Sequence, residues 1–598
     1  MNMLLMAALA AVTTSLGEVK LDCDNPNGWT FSLSATRDAA GREIVKVSAK
    51  AGQEGVPPAF TVSFNAPGAQ VHHVWTSHYD REGFHLWPEA WKDWKIYRSE
   101  LASECPLAVA FDERGRAKLA MASSEVFEHL DFGITANEST CELLGRFKFF
   151  TKPAAPRMRY EASILLDRRD IAWYDAVRET ADWIAATSGF KAADVPEAAF
   201  DPLYSTWYAY MQDVHASELE KEAPLAAALG MKTMILDDGW QKVQSKTFYS
   251  ATGDWNPVPS RFPDMKAHVA AVHKAGLKYM IWFAVPLVGD ESQAWARFKD
   301  KLLFHGRKGE GFLDPRFPEV RDYLIGLYER AVRDWGFDGL KLDFIDSFVL
   351  NGPDPVDTNG MQTRDIREVP QAVDRLMKDV LARLKAIRPD VLIEFRQHYI
   401  GPAILQYGNM LRCADCPADP TANRRRICDL RLTSGGIAVH SDMLVWSRDE
   451  TPQGAALPIL NALFSTIQYS MVLAKVPTGH RDVIRSWLGF SQKHREALLK
   501  GAFRPHHAES GYTWIEGESA SERVMAVYAG DVCVRSGAPD KPVYIVNATG
   551  GDSVLAEMSA PARVEFFDVF GKPAGSASTA AGLVRLAVPA SGHAKVEW

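Results

Sequence analysis

The chain has 598 residues and a mass of 66.3 kDa, enough for about four domains of roughly 150 residues, although one barrel can absorb about 250. Apolar residues make up 47% and charged residues 24%, a balance that excludes a disordered chain, a collagen-like fibre and a multi-span membrane protein. Lys and Arg number 67 against 75 Asp and Glu, a net charge of −8, and nothing resembles the basic footprint of a nucleic-acid binder.

Taken in chain order, Met1-Asn2-Met3 followed by LLMAALAAV resembles a secretory signal peptide that lacks the usual basic n-region. Residues 1–17 are therefore expected to be a leader, and the protein to be exported to the periplasm or the medium, with the cytoplasm as the alternative. The stretch is too short to span a bilayer, and no later run reaches about 18 apolar residues. From Glu18 to about Arg168, short β-rich runs such as EIVKVSAKA, FTVSFNA and RYEASILL are separated by turn residues, the spacing of an antiparallel sandwich. A helix is predicted near Ile171 to Thr187, where Trp173, Val177, Ala181 and Ile184 recur at three- and four-residue steps. Together these make an N-terminal unit over 18–190.

Between 191 and 502 apolar strands alternate with helices. The strand candidates begin at Ser205, Lys232, Lys278, Gly339, Val391, Asn409, Gly436 and Ser470. Eight strand–helix repeats over about 300 residues predict a catalytic (β/α)8 barrel. No GxGxxG turn follows a strand, which argues against a dinucleotide fold. Strands return over 503–598 and predict a small C-terminal antiparallel sandwich. The seven cysteines make no disulfide framework.

A barrel of this kind builds its site at the C-terminal ends of its strands. Strand two ends in Asp237-Asp238-Gly239-Trp240, strand four in Lys341-Leu342-Asp343, and strand five in Glu394-Phe395-Arg396. Strand six ends in Arg412-Cys413-Ala414-Asp415 and strand seven in His440-Ser441-Asp442, while Trp207 and Trp282 lie on strands one and three. Crowded carboxylates repel, so they need ligand hydroxyls, cations or a shared proton. Two chemistries fit: glycoside hydrolysis with two carboxylates, or a divalent metal site. His440 and His398 do not pair at ligand spacing. Lys341 lies two residues before Asp343, on the same side of the strand, and an ammonium there disfavours a metal and favours sugar hydroxyls.

The ILDDGWQ run, the Lys-Leu-Asp strand end about 100 residues later and the strand-six Asp resemble clan D glycoside hydrolases, above all family 36, the α-galactosidases and raffinose-synthase-like proteins. The resemblance implies Asp343 as nucleophile and Asp415 as acid/base. It implies that Asp237 and Asp238 accept hydrogen bonds from sugar O4 and O6, that Lys341 holds O3 or O4 and Arg412 holds O2, and that Trp207 and Trp240 wall the sugar. Trp282 joins the binding set. For chemistry, Lys341 should keep Asp343 ionised, and the weakly polar neighbours of Asp415 should raise its pKa. The sequence departs from the family at strand five, where Glu394-Phe395-Arg396-Gln397-His398 replaces a Cys- and Gly-rich motif. Arg396 is then an extra cation, either reading an acidic or N-acetylated sugar or bridging to Glu394 or Asp415.

Other residues have plainer readings. Asp346 reads as support for Lys341 or as a helix cap, and Asp442 as an alternative acid/base. Cys413 and Cys416 could be inert thiols, a disulfide or half a zinc site. Trp75, Trp87, Trp91 and Trp94 read as sandwich core, with FHLWPEAWKDW able to reach the barrel mouth. The expectation is a retaining exo-α-glycosidase, α-galactosidase-like, releasing terminal α-linked galactose from oligosaccharides or glycans, with no cofactor or metal and oligomeric state open. The alternatives are an α-galactosyl transglycosidase, an α-N-acetylgalactosaminidase and a carbohydrate-binding protein with an inactive barrel.

Overall fold

The computed structural model describes residues 9–77, 97–101, 103–137, 139–152, 154–242, 249–351, 354, 363–396 and 401–598. Trp87, Trp91, Trp94, Gln397 and His398 lie outside the described residues.

The N-terminal unit is a pair of six-stranded sheets. Alternation builds it: Val45, Val47 and Ala49 on Glu43–Gly55 and Val62, Phe64 and Ala66 on Phe60–Pro67 are buried, and the residues between them are not. These alternate side chains share one core, as packed sheets require. The first strand, Ala10–Thr14, lies inside the leader-like stretch and pairs antiparallel with Gly17–Asp22. Gly17 takes φ 103° at the turn, a conformation that glycine reaches without steric cost. The helix expected after the sheets runs Trp173–Ser188 and buries Trp173, Val177, Ala181 and Ile184.

The centre is a parallel barrel. Its strands are β1 (Leu203–Ser205), β2 (Thr233–Leu236), β3 (Lys278–Ala284), β4 (Gly339–Asp343), β5 (Leu392–Arg396), β6 (Met410–Arg412), β7 (Ala438–His440) and β8 (Gln468–Tyr469). Neighbours pair in the order β7-β6-β5-β4-β3-β2-β1-β8. The ring closes between β7 and the residues before β8: Thr466 donates its N–H to the Val439 carbonyl (2.8 Å), and Ser441 donates to the Thr466 carbonyl (3.0 Å). Strands one and eight lie earlier than expected. Thr206 already has φ −80° and ψ −13°, so the chain leaves the sheet there and Trp207–Tyr210 form a helical turn. After β8, Leu473–Lys475 likewise turn as a 3-10 helix. Both aromatic or apolar runs looked like strands because they are half-buried, not because they pair.

The barrel interior is layered. At its bottom Leu203, Ile235, Met280, Leu392, Met410 and Ala438 pack together with Ala199. Two residues on along each strand, the period that returns a side chain to the same face, stand Ser205, Asp237, Trp282, Glu394, Arg412 and His440, all buried. The fold therefore buries its apolar layer first and lifts the polar residues toward the C-terminal rim.

The C-terminal unit has a seven-stranded and a three-stranded sheet around one core. It is mixed rather than purely antiparallel, because Arg523–Val527 pairs parallel with Val543–Asn547. The connection between these strands places Cys533–Arg535 in the other sheet, and such a crossover returns the chain in the same direction.

All three units meet at one carboxylate. Asp429, on the barrel helix Pro420–Thr433, accepts the indole N–H of Trp75 (3.1 Å) from the N-terminal sheets and the hydroxyl of Tyr512 from the C-terminal unit. Trp75 and Tyr512 are fully buried and Asp429 is nearly so. Replacing Asp429 with Ala removes the acceptor that two buried donors share, and we expect it to cost about 1–3 kcal/mol. A lowered melting temperature, with a smaller loss for Asp429→Asn, is the check.

Candidate active site

The polar layer is tied across the barrel. Lys341 on β4 reaches past β3, and its ammonium donates to Asp237 Oδ2 at 2.5 Å. Asp237 Oδ1 accepts the Asp238 N–H at 2.9 Å. Asp238 is itself buried, with Gln212 on one oxygen (2.7 Å) and Gln241 on the other (2.5 Å). Burial pushes its carboxyl up to about 6. Gly239 takes φ 115°, and a Cβ there would stand 2.7 Å from the Gln212 backbone, so the turn after Asp238 requires glycine. Glu394 on β5 accepts from Gln468 Nε2 at 2.5 Å. Burial raises it to about 7, against the pull of Lys341 and Arg412.

Above this layer lie the two carboxylates assigned to chemistry. Asp343 ends β4 and is buried. Its Oδ2 accepts the Trp282 indole N–H at 3.0 Å, and its Oδ1 accepts the Phe344 N–H at 2.8 Å. Phe344 has φ 64°, an uncommon and strained conformation for an aromatic residue; it turns that N–H back onto the carboxylate. Asp415 stands three residues beyond β6, with 40% of its side chain exposed. Arg412 Nη2 donates to its Oδ1 at 2.8 Å. Arg396, the last residue of β5, lies between the two carboxylates, with Nε 3.2 Å from Asp343 Oδ1 and Nη2 3.5 Å from Asp415 Oδ2.

Several expectations change. Lys341 pairs with Asp237, not with Asp343, because its long stem carries the ammonium across to β2; the cation beside Asp343 is Arg396. Asp415 is not a raised acid. Burial acts to raise its pKa, but Arg412 and then Arg396 outweigh it and hold the carboxyl well below the usual range. Trp240 cannot wall a sugar. It is fully buried, donates its indole N–H to the Trp282 carbonyl (3.0 Å) and packs against Trp255, Phe283 and Trp335. Trp282 is also buried and orients Asp343 rather than presenting a face. Trp207 is half-buried on the turn after β1. Arg412 is 1% exposed, held between Asp415 and Asp442, so its guanidinium is already engaged rather than open to a sugar O2.

Asp442 is wholly buried behind Arg412, taking the Cys416 N–H (2.7 Å) and the Tyr208 hydroxyl (3.0 Å), which removes it as an acid/base. Asp346, on the 3-10 turn Ile345–Ser347, is lifted to about 7 by burial and by the neighbouring Asp343. Cys413 and Cys416 are free thiols, and Cys413 Sγ accepts the Asp442 N–H at 2.9 Å. Among the described residues no group of three or more His, Cys, Asp or Glu is placed to hold a metal ion, and no helix is long and apolar enough to cross a membrane. Sequence reasoning missed Tyr208 and Gln468. Both are polar residues beside strand ends that were placed two residues too late.

Residues 198–412 match the Melibiase family model. The segment spans β1 to β6 and includes Asp237, Lys341, Asp343 and Arg396, while Asp415 lies just beyond it. Over 152 residues the chain is 30% identical to alpha-galactosidase Mel36A of Lactobacillus acidophilus, covering 24% of this chain and 20% of that protein. It is 28% identical over 173 residues to alpha-galactosidase C of Emericella nidulans, covering 26% and 22%. A third relative, the A type blood alpha-D-galactosamine galactosaminidase of Flavonifractor plautii, is 25% identical over 174 residues, covering 25% and 15%. The matched stretches thus span about a fifth of these relatives' length. The fold is shared far more widely. The alpha-galactosidase of Lactobacillus brevis aligns with a TM-score of 0.59 over 98% of this chain and 87% of its own, at 14% identity. The family 36 alpha-galactosidase AgaA of Geobacillus stearothermophilus, solved with stachyose, aligns at 0.62 over 99% and 89%, at 13% identity.

The buried carboxyl of the polar layer gives a test of this charge arrangement. Glu394 binds its proton more tightly when folded than an ordinary Glu does, so its contribution to stability is full below about pH 4.3 and is lost as pH rises toward 7. The isosteric Glu394→Gln has no such loss. Its melting temperature should therefore gain on the wild type as pH climbs from 4.5 to 7, by the equivalent of at most about 3 kcal/mol; a constant offset would contradict the assignment.

Proposed function

We propose that the protein is a retaining exo-α-galactosidase in which Asp343 is the nucleophile and Asp415 the acid/base. The observation that carries this reading is the convergence of these two carboxylates on a single guanidinium at the barrel rim. Asp343 is fixed at both oxygens by the Trp282 and Phe344 N–H groups, so it meets an anomeric carbon without having to reorganise. Attack breaks the glycosidic bond and leaves a galactosyl ester on Asp343, while Asp415 gives its proton to the leaving oxygen. Asp415, then ionised, takes a proton from water, which hydrolyses the ester with net retention. The Lys341–Asp237 pair, with Asp238 beside it, offers both a donor and acceptors for the sugar hydroxyls, and Trp207 is the half-buried ring beside them. Terminal α-galactosides of oligosaccharides or glycans are the substrate class that the relatives' activities suggest.

The charge pattern around Asp415 favours its base form. The second step needs that form, and the first needs the proton. kcat/KM, which reports the free enzyme, should therefore fall as pH rises through the acidic range and give an acidic optimum.

The initial rate on an aryl α-D-galactoside is the direct test. Asp343→Ala should lower it by several powers of ten, and survival of turnover would overturn the nucleophile assignment. Asp415→Ala should lose about 10²–10⁴-fold on an alkyl α-galactoside. It should lose far less on an aryl galactoside whose leaving group needs no proton, and added azide should restore part of the rate. Equal losses on both substrates would remove Asp415 from the acid/base role.

A further inference from the structure

The cation between Asp343 and Asp415 is bound differently from the other two at the rim. Lys341 and Arg412 are 2% and 1% exposed and hold their carboxylates at hydrogen-bonding distance. The Arg396 side chain is 18% exposed, and its contacts are at 3.2 and 3.5 Å. Its Nε is buried but makes no aligned hydrogen bond. Its guanidinium carbon lies 5.3 Å from the centre of the Phe344 ring, the residue that follows Asp343. Arg396 thus touches both carboxylates while being tightly committed to neither, and a bound glycosidic linkage must lie between those same two groups.

We propose that Arg396 is a positioning residue that ties Asp343 to Asp415 and yields its contact with Asp415 when a glycoside enters, so that substrate binding itself readies Asp415 to carry a proton. The inference rests on the roles given to the two carboxylates above. The groups facing the bridge can be named. From β4 and its following turn come Lys341, Asp343 and Asp346, and from β6 and its loop Arg412 and Asp415. From beyond β2 comes Tyr249, and in the layer beneath stand Glu394 and Asp237. Tyr208 and Asp442 also face Asp415, and Arg426 donates to its backbone carbonyl; of the two cations at its carboxylate, Arg412 stays fixed by Asp442, so Arg396 is the one whose departure changes the charge there. Losing a nearby cation raises a carboxyl pKa. The alkaline limb of kcat, measured with substrate bound, should accordingly lie above that of kcat/KM.

The test compares wild type, Arg396→Gln and Arg396→Lys on an aryl α-D-galactoside across pH. In Arg396→Gln the alkaline limb of kcat/KM should move up by about one pH unit and approach the limb of kcat, while kcat itself falls. Arg396→Lys keeps the charge and should return the limb toward the wild-type position. An unchanged limb in Arg396→Gln, with only a lower melting temperature or a higher KM, would reduce Arg396 to a structural residue and overturn the proposal. A crystal structure of Arg396→Gln reads the tie without activity: Asp415 should shift or disorder relative to Asp343, and an unmoved pair would also overturn it. Wild-type enzyme without turnover would sink the glycosidase reading, and the variant's structure would still decide the tie.

Discussion

The rim of the barrel depends on one constraint, the neutralisation of crowded negative charge in a site of low polarity. Seven carboxyl groups meet there among the described residues, namely Asp237, Asp238, Asp343, Asp346, Glu394, Asp415 and Asp442, against Lys341, Arg396 and Arg412. Such a set can persist only if protons or cations cancel most of the charge. Burial answers for Asp238, Asp346 and Glu394, which hold their protons up to about 6 or 7. The three cations answer for the remaining four. Lys341 takes Asp237, Arg412 takes Asp442 and Asp415, and Arg396 is divided between Asp343 and Asp415. Three cations therefore face four carboxyl groups, and the cation shared between two of them stands at the pair where the proposed chemistry occurs.

The strand period explains how the chain brings this set together. One side chain in two faces the barrel interior, so an apolar layer, a polar layer and the rim follow one another at two-residue steps. On β5 these are Leu392, Glu394 and Arg396, and on β4 Gly339, Lys341 and Asp343. Gly339 matters because a Cβ there would stand 2.2 Å from the Leu392 carbonyl, and β4 and β5 could not then lie side by side. Without that approach Arg396 would not reach Asp343.

Much of this was legible in the sequence, and the failures have a common cause. The alternation of apolar strands with helices gave the barrel, and reading the strand ends gave Asp237, Lys341, Asp343, Arg396 and Arg412 as neighbours, because parallel strands deliver their C-terminal ends to one rim. What sequence does not carry is which partner a long side chain selects. Lys341 stands two residues from Asp343 and yet crosses to Asp237. The cluster of weakly polar residues around Asp415 suggested an apolar pocket, whereas two guanidinium groups reach it from β5 and β6. Trp240 follows a strand end and looked like a sugar platform, but its ring turns outward into the layer between β3 and the helices. Strands one and eight were misplaced because burial of an aromatic run does not require pairing.

The buried pair of Arg412 and Asp442 shows why the two arginines have different work. A wholly buried ion pair costs desolvation that its own attraction barely repays, but Asp442 is also fixed by the Cys416 N–H and the Tyr208 hydroxyl. That scaffold leaves Arg412 with one orientation, from which it holds one oxygen of Asp415 and leaves the other to Arg396. A rigid cation beside an acid/base would by itself keep the proton away and favour only the second, hydrolytic step. A loosely held cation beside the same group supplies a charge that can leave. On the proposed roles, one fixed and one yielding guanidinium would let a single carboxylate serve as acid in the first step and as base in the second.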